Sequence, residues 1–325
     1  EIVLRFATSL RVADGCARLN LPLTHRPRYG KWRLDDLSTP SHDFAVEHPL
    51  SLEICVAGLL GASHARCLSH PAAFHAKAGQ QVLQLDDALL DRDVAVVFEL
   101  SEALKPTVRC IADGEATLGM ISIPVPSDDT QAQPLDLVLL LDCSGSMQGD
   151  AIAQSQSALK AVAKALSPED KIQILRFGST CQPLFRRPLK ATPLVCASIQ
   201  ELIPLVRSDM GGTEMGAALN SAQEHIPAPT TGRQRAIILI TDGAVQPADI
   251  ADQQTQLSTS GIPTFVVAVG STAGVEVLQP LAESTHAVLE RAVPMEPIDA
   301  CVMRLFRRAS KSPVSVNVTW PGGIE

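Results

Sequence analysis

Hydrophobic and polar residues alternate in short segments through the first part of the chain. The alternation starts at once, at 2–6, and recurs between turn-forming prolines and glycines at 50–56, 81–85, 94–100, 107–112 and 120–124. A period of two without intervening helices is typical of antiparallel strands. The pattern therefore predicts an antiparallel β-sandwich over 1–132. Because the pattern begins in mid-strand, we expect the first strands of this sandwich to be missing.

From residue 133 the hydrophobic period switches between that of buried strands and that of helices. A nearly continuous apolar segment at 135–141 predicts a central strand that is buried on both faces. Further strands are predicted at 172–177, 236–241, 264–269 and 287–289, and helices at 151–166, 198–206, 215–225, 247–257, 275–283 and 295–309. Such alternation predicts a doubly wound, mostly parallel α/β sheet over 133–310. A polar, proline-bracketed segment at 126–134 is expected to link the two parts, and 311–325 to begin a further β segment.

The composition narrows the classes of partner. The chain has 325 residues, 46% of them hydrophobic and 19% charged, with a net charge of −8 and only 3% aromatic residues. An acidic chain with few aromatic residues lacks the basic face and stacking platforms that nucleic acid requires. No apolar segment approaches the roughly 20 residues that cross a bilayer. We therefore expect neither a nucleic-acid partner nor a membrane span.

The cysteine pattern bears on compartment and on metal binding. Eight cysteines are scattered without a CxxC pair, which favours free thiols in a reducing, cytoplasmic compartment unless an export signal has been removed. His64, Cys67, His70 and His75 could be ligands of a zinc ion, although their spacing fits no closed zinc pattern well. That cluster is kept as an alternative to the oxygen site described next.

Oxygen-bearing side chains occur where three predicted strands or loops meet a helix. Asp142, Ser144 and Ser146 form a tight turn directly after the central strand. Thr213 precedes the predicted helix at 215–225, and Asp242 follows the strand at 236–241. Ligands of open parallel sheets bind at the carboxyl ends of the strands. Two carboxylates and three hydroxyls form a donor set that a hard cation such as Mg²⁺ prefers, with Mn²⁺ or Ca²⁺ as alternatives.

This spacing resembles a known motif. Asp142-x-Ser144-x-Ser146, together with Thr213 and Asp242, is similar to the metal-ion-dependent adhesion site of von Willebrand factor type A domains. The resemblance covers the whole predicted α/β domain. It implies that the three hydroxyls contact the cation directly or through water, and that the two aspartates hold it mainly through water. It also implies an open metal position that takes an Asp or Glu of a protein partner.

Residues next to the motif are expected to form the rim that contacts this partner. They are Met147, Gly212 and Glu214. Cys143, inside the motif, is expected to fill space, with an exposed and oxidisable thiol as the alternative.

The first part of the chain also shows a resemblance, which is less specific. Its segments Leu21-Pro22-Leu23, Pro27-Arg28-Tyr29-Gly30, Ser69-His70 and Leu90-Asp91-Arg92-Asp93 are similar to the later part of the vault protein inter-alpha-trypsin (VIT) domain. That domain precedes such A domains in inter-alpha-trypsin inhibitor heavy chains, and we expect its early strands to be missing from this sequence. Because both faces of the predicted strand at 94–98 are apolar, we expect the sandwich to pack on the α/β domain.

Other functions compete with adhesion. Asp, Ser and Gly between a strand and a helix are also ordinary helix-capping residues. An assembly or chaperone adaptor that works with an AAA+ ATPase could use the same domain. A Mg²⁺-dependent phosphohydrolase with Asp142 as nucleophile is disfavoured, because Ser144 stands where a second carboxylate is needed as general acid. We therefore predict a binding module rather than an enzyme.

Overall fold

The computed structural model describes residues 10, 12–13, 15–21, 23, 48–57, 60, 63–77, 80–100, 106–113, 116–123, 132–243, 245, 247–269, 274–292 and 297–312. The alternating pattern at 2–6, the predicted linker before residue 132 and the β segment expected after residue 312 lie outside these ranges.

The first part of the chain consists of antiparallel strands. These are β1 (Val12–Ala13), β2 (Cys16–Leu21), β3 (Pro49–Val56), β4 (His64–Cys67), β5 (Ala73–Lys77), β6 (Gln80–Leu89), β7 (Val94–Glu99), β8 (Thr107–Asp113) and β9 (Ala116–Ser122). One sheet has the order β1-β2-β7-β4, a second has the order β3-β6-β5, and β8 pairs with β9. Leu83 and Leu85 of the second sheet share a buried cluster with Val96 and Phe98 of the first. The antiparallel arrangement agrees with the sequence pattern.

The second part alternates strands and helices. Its strands are β10 (Leu135–Asp142), β11 (Lys171–Phe177), β12 (Cys181–Pro183), β13 (Leu189–Lys190), β14 (Gln234–Thr241), β15 (Thr264–Ala268) and β16 (Leu289–Arg291), and its helices are α1 (Asp150–Ala165), α2 (Pro193–Leu202), α3 (Met215–His225), α4 (Ala251–Ser260), α5 (Val275–Ser284) and α6 (Ile298–Ala309). In the order β12-β11-β10-β14-β15-β16, every neighbouring pair is parallel except β11 with β12. The predicted α/β fold is confirmed. None of the helices in the described ranges is long and apolar enough to span a membrane.

The direction of strand addition reverses at β10. The chain passes from β10 to β11 on one side and later returns to β14 on the other side. Crossovers therefore leave β10 in opposite directions, which opens a crevice at the carboxyl ends of β10 and β14. Ligands of doubly wound sheets bind at such a switch point.

Strand β10 is buried along its whole length because helices cover both faces of the sheet. Leu137 and Leu139 pack into one hydrophobic cluster, and Val138 and Leu140 pack into the cluster on the other face. The buried Asp136 interrupts this apolar segment, and the Arg233 side chain compensates it by donating a 3.0 Å hydrogen bond from Nε.

Several predicted elements are displaced along the chain, among them a helix and a strand. Helix α2 begins at Pro193, five residues before the predicted start, because Thr192 caps it and accepts a hydrogen bond from the Val195 amide at 3.4 Å. The strand predicted at 287–289 is observed as β16, which ends at Arg291. Apolar spacing alone located neither the cap nor the strand end.

The two parts of the chain contact each other through charged side chains. Arg18 of β2 donates a 3.0 Å hydrogen bond to the Arg291 carbonyl and lies 3.7 Å from Glu290. Asp93, just before β7, forms an ion pair with the Arg291 side chain. Because Arg18 is the cross-strand partner of Val97, the two side chains share one face of the sheet. That face lies toward β16, in agreement with the expected packing of the sandwich on the α/β domain.

Candidate functional site

The strand register brings the two motif aspartates to the same edge of the sheet. Leu141 of β10 is the register partner of Ile240 of β14, so Asp142 ends its strand level with Thr241 and one residue before Asp242. Asp142 is 0% exposed and Asp242 is 3% exposed. Two neighbouring carboxyl groups are therefore buried at the switch point between β10 and β14.

Asp142 is fixed by hydrogen bonds to both of its carboxyl oxygens. Oδ1 accepts from the Ser144 amide at 2.9 Å, and Oδ2 accepts from the Thr241 hydroxyl at 2.5 Å. Thr241 Oγ1 in turn accepts from the Gly243 amide at 3.0 Å. The sequence pattern assigned Thr241 no role, although its position directly before Asp242 at a strand end was the available signal.

Burial dominates the electrostatics of Asp142. Removal from water raises the pKa of its carboxyl to about 6, and the nearby charge of Asp242 adds to the rise. The hydrogen bonds from Ser144 and Thr241 oppose this rise without cancelling it. The charged form of Asp142 is thus disfavoured, and a bound cation would stabilise it.

The hydroxyls of the motif lie in the turn that follows β10. Ser144 Oγ and Ser146 Oγ are 3.1 Å apart, within hydrogen-bonding distance. Ser144 is buried and Ser146 is half-buried, on a short 3₁₀ turn at Gly145–Met147. Their contact shows that both oxygens can approach one small ligand.

The loop that carries Thr213 is attached to this turn through the backbone. The Gly145 amide donates to the Gly211 carbonyl at 2.8 Å, and the Met210 amide donates to the Cys143 carbonyl at 3.0 Å. Thr213 itself is half-buried. The structure therefore brings together the three chain segments that the sequence motif singled out.

The donors at this edge fit a hard divalent cation. The five motif side chains offer only oxygen atoms as ligands, and two of these side chains are buried carboxyl groups. Mg²⁺, Mn²⁺ and Ca²⁺ prefer such oxygen ligands. A buried carboxyl with a raised pKa gains most from a positive charge beside it.

The predicted rim is only partly exposed. Gly212 and Glu214 lie at the surface beside Thr213. The Met147 side chain is fully buried in the cluster that contains Leu139, because the 3₁₀ turn directs it into the core. Met147 therefore does not lie at the rim.

Cys143 fills space beneath the site. Its side chain is fully buried, and burial raises the pKa of its thiol to about 12. The alternative of an exposed and oxidisable thiol at this position is wrong.

The histidine and cysteine residues of the first part do not assemble a zinc site. Among the residues that the structure describes, no three His, Cys, Asp or Glu side chains are grouped to hold a metal ion. His70 Nδ1 instead lies 2.9 Å from the Ser69 hydroxyl, which accepts from the Ala95 amide at 3.0 Å. Burial, with a contribution from Arg92, lowers the pKa of His70. This histidine is thus a buried structural residue of the sandwich.

Fold and site together define a doubly wound α/β domain with an oxygen-rich site at its switch point. Residues 135–290 match the family model of the von Willebrand factor type A domain. The α/β part of the chain is therefore similar to von Willebrand factor type A domains, as the motif resemblance implied.

Several proteins resemble this chain in sequence. It is 22% identical to human von Willebrand factor A domain-containing protein 5A over 99% of the chain and 45% of that protein. It is 25% identical to a von Willebrand factor A domain-containing protein of Dictyostelium discoideum, over 59% of the chain and 20% of that protein. Mouse protein mono-ADP-ribosyltransferase PARP4 is 30% identical over 48% of the chain and 8% of its own length. The chain spans less than half the length of these relatives.

Solved structures resemble about half of this chain. A von Willebrand factor type A protein from Catenulispora acidiphila has 20% identity and a TM-score of 0.47, over 55% of this chain and 42% of that chain. Proximal thread matrix protein 1 from the mussel byssus, solved with a zinc-occupied adhesion-site motif, has 20% identity and a TM-score of 0.43, over 54% of this chain and 46% of that chain.

Proposed function

We propose that the α/β domain is a metal-dependent protein-interaction and adhesion module that recognises an acidic side chain of a partner through a bound cation. The observation that carries this proposal is the burial of Asp142 and Asp242 side by side at the switch point. Burial disfavours the charged form of Asp142, and a cation at this edge would stabilise it.

The five motif residues would hold Mg²⁺, with Mn²⁺ or Ca²⁺ as substitutes: Asp142, Ser144, Ser146, Thr213 and Asp242. Because three of these ligands are neutral hydroxyls, the bound ion would keep enough positive charge to attract a further anionic oxygen. Gly212 and Glu214 are exposed beside Thr213 and would contact the partner around that oxygen.

The proposal assigns binding rather than catalysis to this edge. Ser144 occupies the position where an aspartyl phosphohydrolase needs its general acid, and its hydroxyl contacts Ser146. Hydrolysis of p-nitrophenyl phosphate with Mg²⁺, abolished by Asp142→Asn, would contradict a binding-only role.

The first part of the chain is proposed to be the later portion of a VIT-like domain. Its two antiparallel sheets with a shared core, and its contacts with β16, support a rigid neighbour of the A domain. A cytoplasmic location is part of the same proposal. No disulfide joins any of the eight cysteines, all of which lie in the described ranges.

Metal binding is tested first, by isothermal titration of the EDTA-stripped chain with Mg²⁺. We expect one site in the wild type and none in Asp142→Ala, with Glu201→Ala, an exposed carboxylate on α2, as the control. The absence of a Mg²⁺ site in the folded wild type would overturn the proposal.

Ligand recognition is tested with a random peptide library displayed on phage and selected on the Mg²⁺-loaded chain. We expect the selected peptides to share an Asp or Glu and to dissociate in EDTA. Peptides that remain bound in EDTA, or that tolerate replacement of the acidic residue by its amide, would contradict recognition through the metal.

A further inference from the structure

A fourth loop, absent from the sequence motif, adjoins the site. Gly178 and Ser179 directly follow β11, the strand next to β10, and they reach the same edge of the sheet. The Cys143 amide donates to the Phe177 carbonyl at 2.7 Å, so the end of β11 is level with the metal turn. This loop is the neighbour of the segment that carries Thr213.

The fourth loop binds the backbone on both sides of Thr213. Ser179 Oγ accepts from the Gly212 amide at 2.8 Å, and the Gly178 carbonyl accepts from the Glu214 amide at 2.9 Å. The Ser179 amide also donates to the Met210 carbonyl at 2.7 Å. The amides of Gly212 and Glu214, on either side of Thr213, are therefore both held by hydrogen bonds. Of these two hydrogen bonds, only that of Gly212 depends on a side chain.

The fit between the two loops leaves little room for adjustment. A Cβ atom added at Gly178 would lie 2.4 Å from the Met210 carbonyl oxygen. Gly211 has a φ of +76°, and a Cβ there would lie 2.8 Å from Ser179 Oγ. Glycine is required at Gly178 because the loops approach at backbone distance, and at Gly211 because its φ is positive. The Ser179 hydroxyl joins the two loops through its hydrogen bond with the Gly212 amide.

We propose that Ser179 is a positioning residue for the metal site: its hydroxyl fixes the Gly212 peptide and thereby holds Thr213 toward Ser144 and Ser146. This inference rests on the proposed function, because Thr213 matters here as a cation ligand. Loss of the hydroxyl leaves the Gly212 amide without its protein acceptor and frees the loop to sample other positions. Cation binding must then order Thr213, and the entropy cost of this ordering lowers the affinity for the cation.

The test compares Mg²⁺ affinity by calorimetry in four forms: wild type, Ser179→Ala, Thr213→Ala and the double variant. Loss of one hydrogen bond that orders a ligand is expected to weaken binding about five-fold in Ser179→Ala. In the Thr213→Ala background the same change is expected to have no further effect, because the ligand that it positions is gone. Ser179→Thr keeps the hydroxyl and is expected to restore affinity.

A second readout is independent of the metal. In the EDTA-treated chain, amide exchange followed by NMR should show faster exchange of the Gly212 N–H in Ser179→Ala and not in Thr180→Ala, a change of the adjacent exposed hydroxyl. Unchanged Mg²⁺ affinity in Ser179→Ala, or equal losses with and without Thr213, would overturn the positioning role. A wild type that binds no Mg²⁺ would instead overturn the proposed function itself.

Discussion

Asp93 and Arg291 form a buried ion pair across 198 residues of sequence, which joins the antiparallel part of the chain to the last strand of the α/β sheet. Asp93 is 7% exposed and Arg291 is 8% exposed. The second carboxyl oxygen of Asp93 accepts from the Leu23 amide at 3.0 Å. The Asp93 carboxylate therefore contacts both Leu23, in its own part of the chain, and Arg291, at the end of β16.

Replacement of Asp93 by alanine is expected to destabilise the whole chain. It leaves the Arg291 guanidinium buried without this partner, and removal of one member of a buried pair typically costs about 3 to 5 kcal/mol. Urea denaturation followed by circular dichroism measures the free energy of unfolding.

The exposed pair Arg66–Glu99, with a separation of 2.6 Å, supplies the control. Glu99→Ala is expected to cost at most about 1 kcal/mol, because solvent screens such pairs. Equal losses in the two variants would show that the Asp93 contact contributes no more than a surface ion pair.

Much of the α/β part could be predicted from the sequence because its elements have strong periods. Helix α3 has the predicted bounds, Met215–His225, and β14 extends the predicted strand by two residues at its start. The antiparallel part was harder to predict: β5 is exposed along its whole length and has no apolar period. Strand β4, with four residues, shows too few alternations to stand out from a loop.

The candidate site was predictable as a set of residues but not as an arrangement. The hydrogen bond from Thr241 to Asp142 depends on the register of β10 and β14, which the hydrophobic pattern does not specify. The inward direction of Met147 depends on a 3₁₀ turn rather than on the first turn of a helix. Contacts between distant loops, such as Ser179 with Gly212, follow only from the assembled sheet.

Asp142→Asn is expected to stabilise the metal-free protein at pH 7 while abolishing stabilisation by Mg²⁺. Burial raises the pKa of Asp142 from 3.8 to about 6, so folding disfavours the charged form that is present at pH 7. Because the pKa is higher in the folded state, this group favours folding at low pH, and the benefit is lost as the pH rises through 6. The asparagine variant should lack this pH dependence.

Urea denaturation in EDTA at pH 5 and pH 7 measures the effect, and thermal unfolding with and without Mg²⁺ measures the metal contribution. Glu201→Gln on the exposed face of α2 is the matched control and should change neither. A less stable Asp142→Asn protein in EDTA at pH 7 would mean that the hydrogen bonds to the carboxylate outweigh its desolvation.

Cys143 is expected to resist alkylation in the folded protein. Its thiol is fully buried with a pKa of about 12, so almost none is present as the reactive thiolate at pH 8. Cys55 and Cys110 are exposed and should react first. Iodoacetamide labelling followed by peptide mass spectrometry measures each site, with urea-denatured protein as the reference for full reaction. Labelling of native Cys143 at the rate of Cys55 would contradict the buried position.

Gly178→Ala is expected to weaken both folding and Mg²⁺ binding. The new Cβ would lie 2.4 Å from the Met210 carbonyl oxygen, which is backbone and cannot rotate away, so the loop that carries Thr213 must shift. Forcing an extra carbon into a packed contact typically costs about 1 to 3 kcal/mol. Gly145→Ala is the control, because its Cβ would meet the Gly211 carbonyl oxygen at an ordinary 3.7 Å. Chemical denaturation and Mg²⁺ calorimetry of both variants separate the two effects. If Gly178→Ala loses stability but keeps wild-type Mg²⁺ affinity, the position of this loop does not control the metal site.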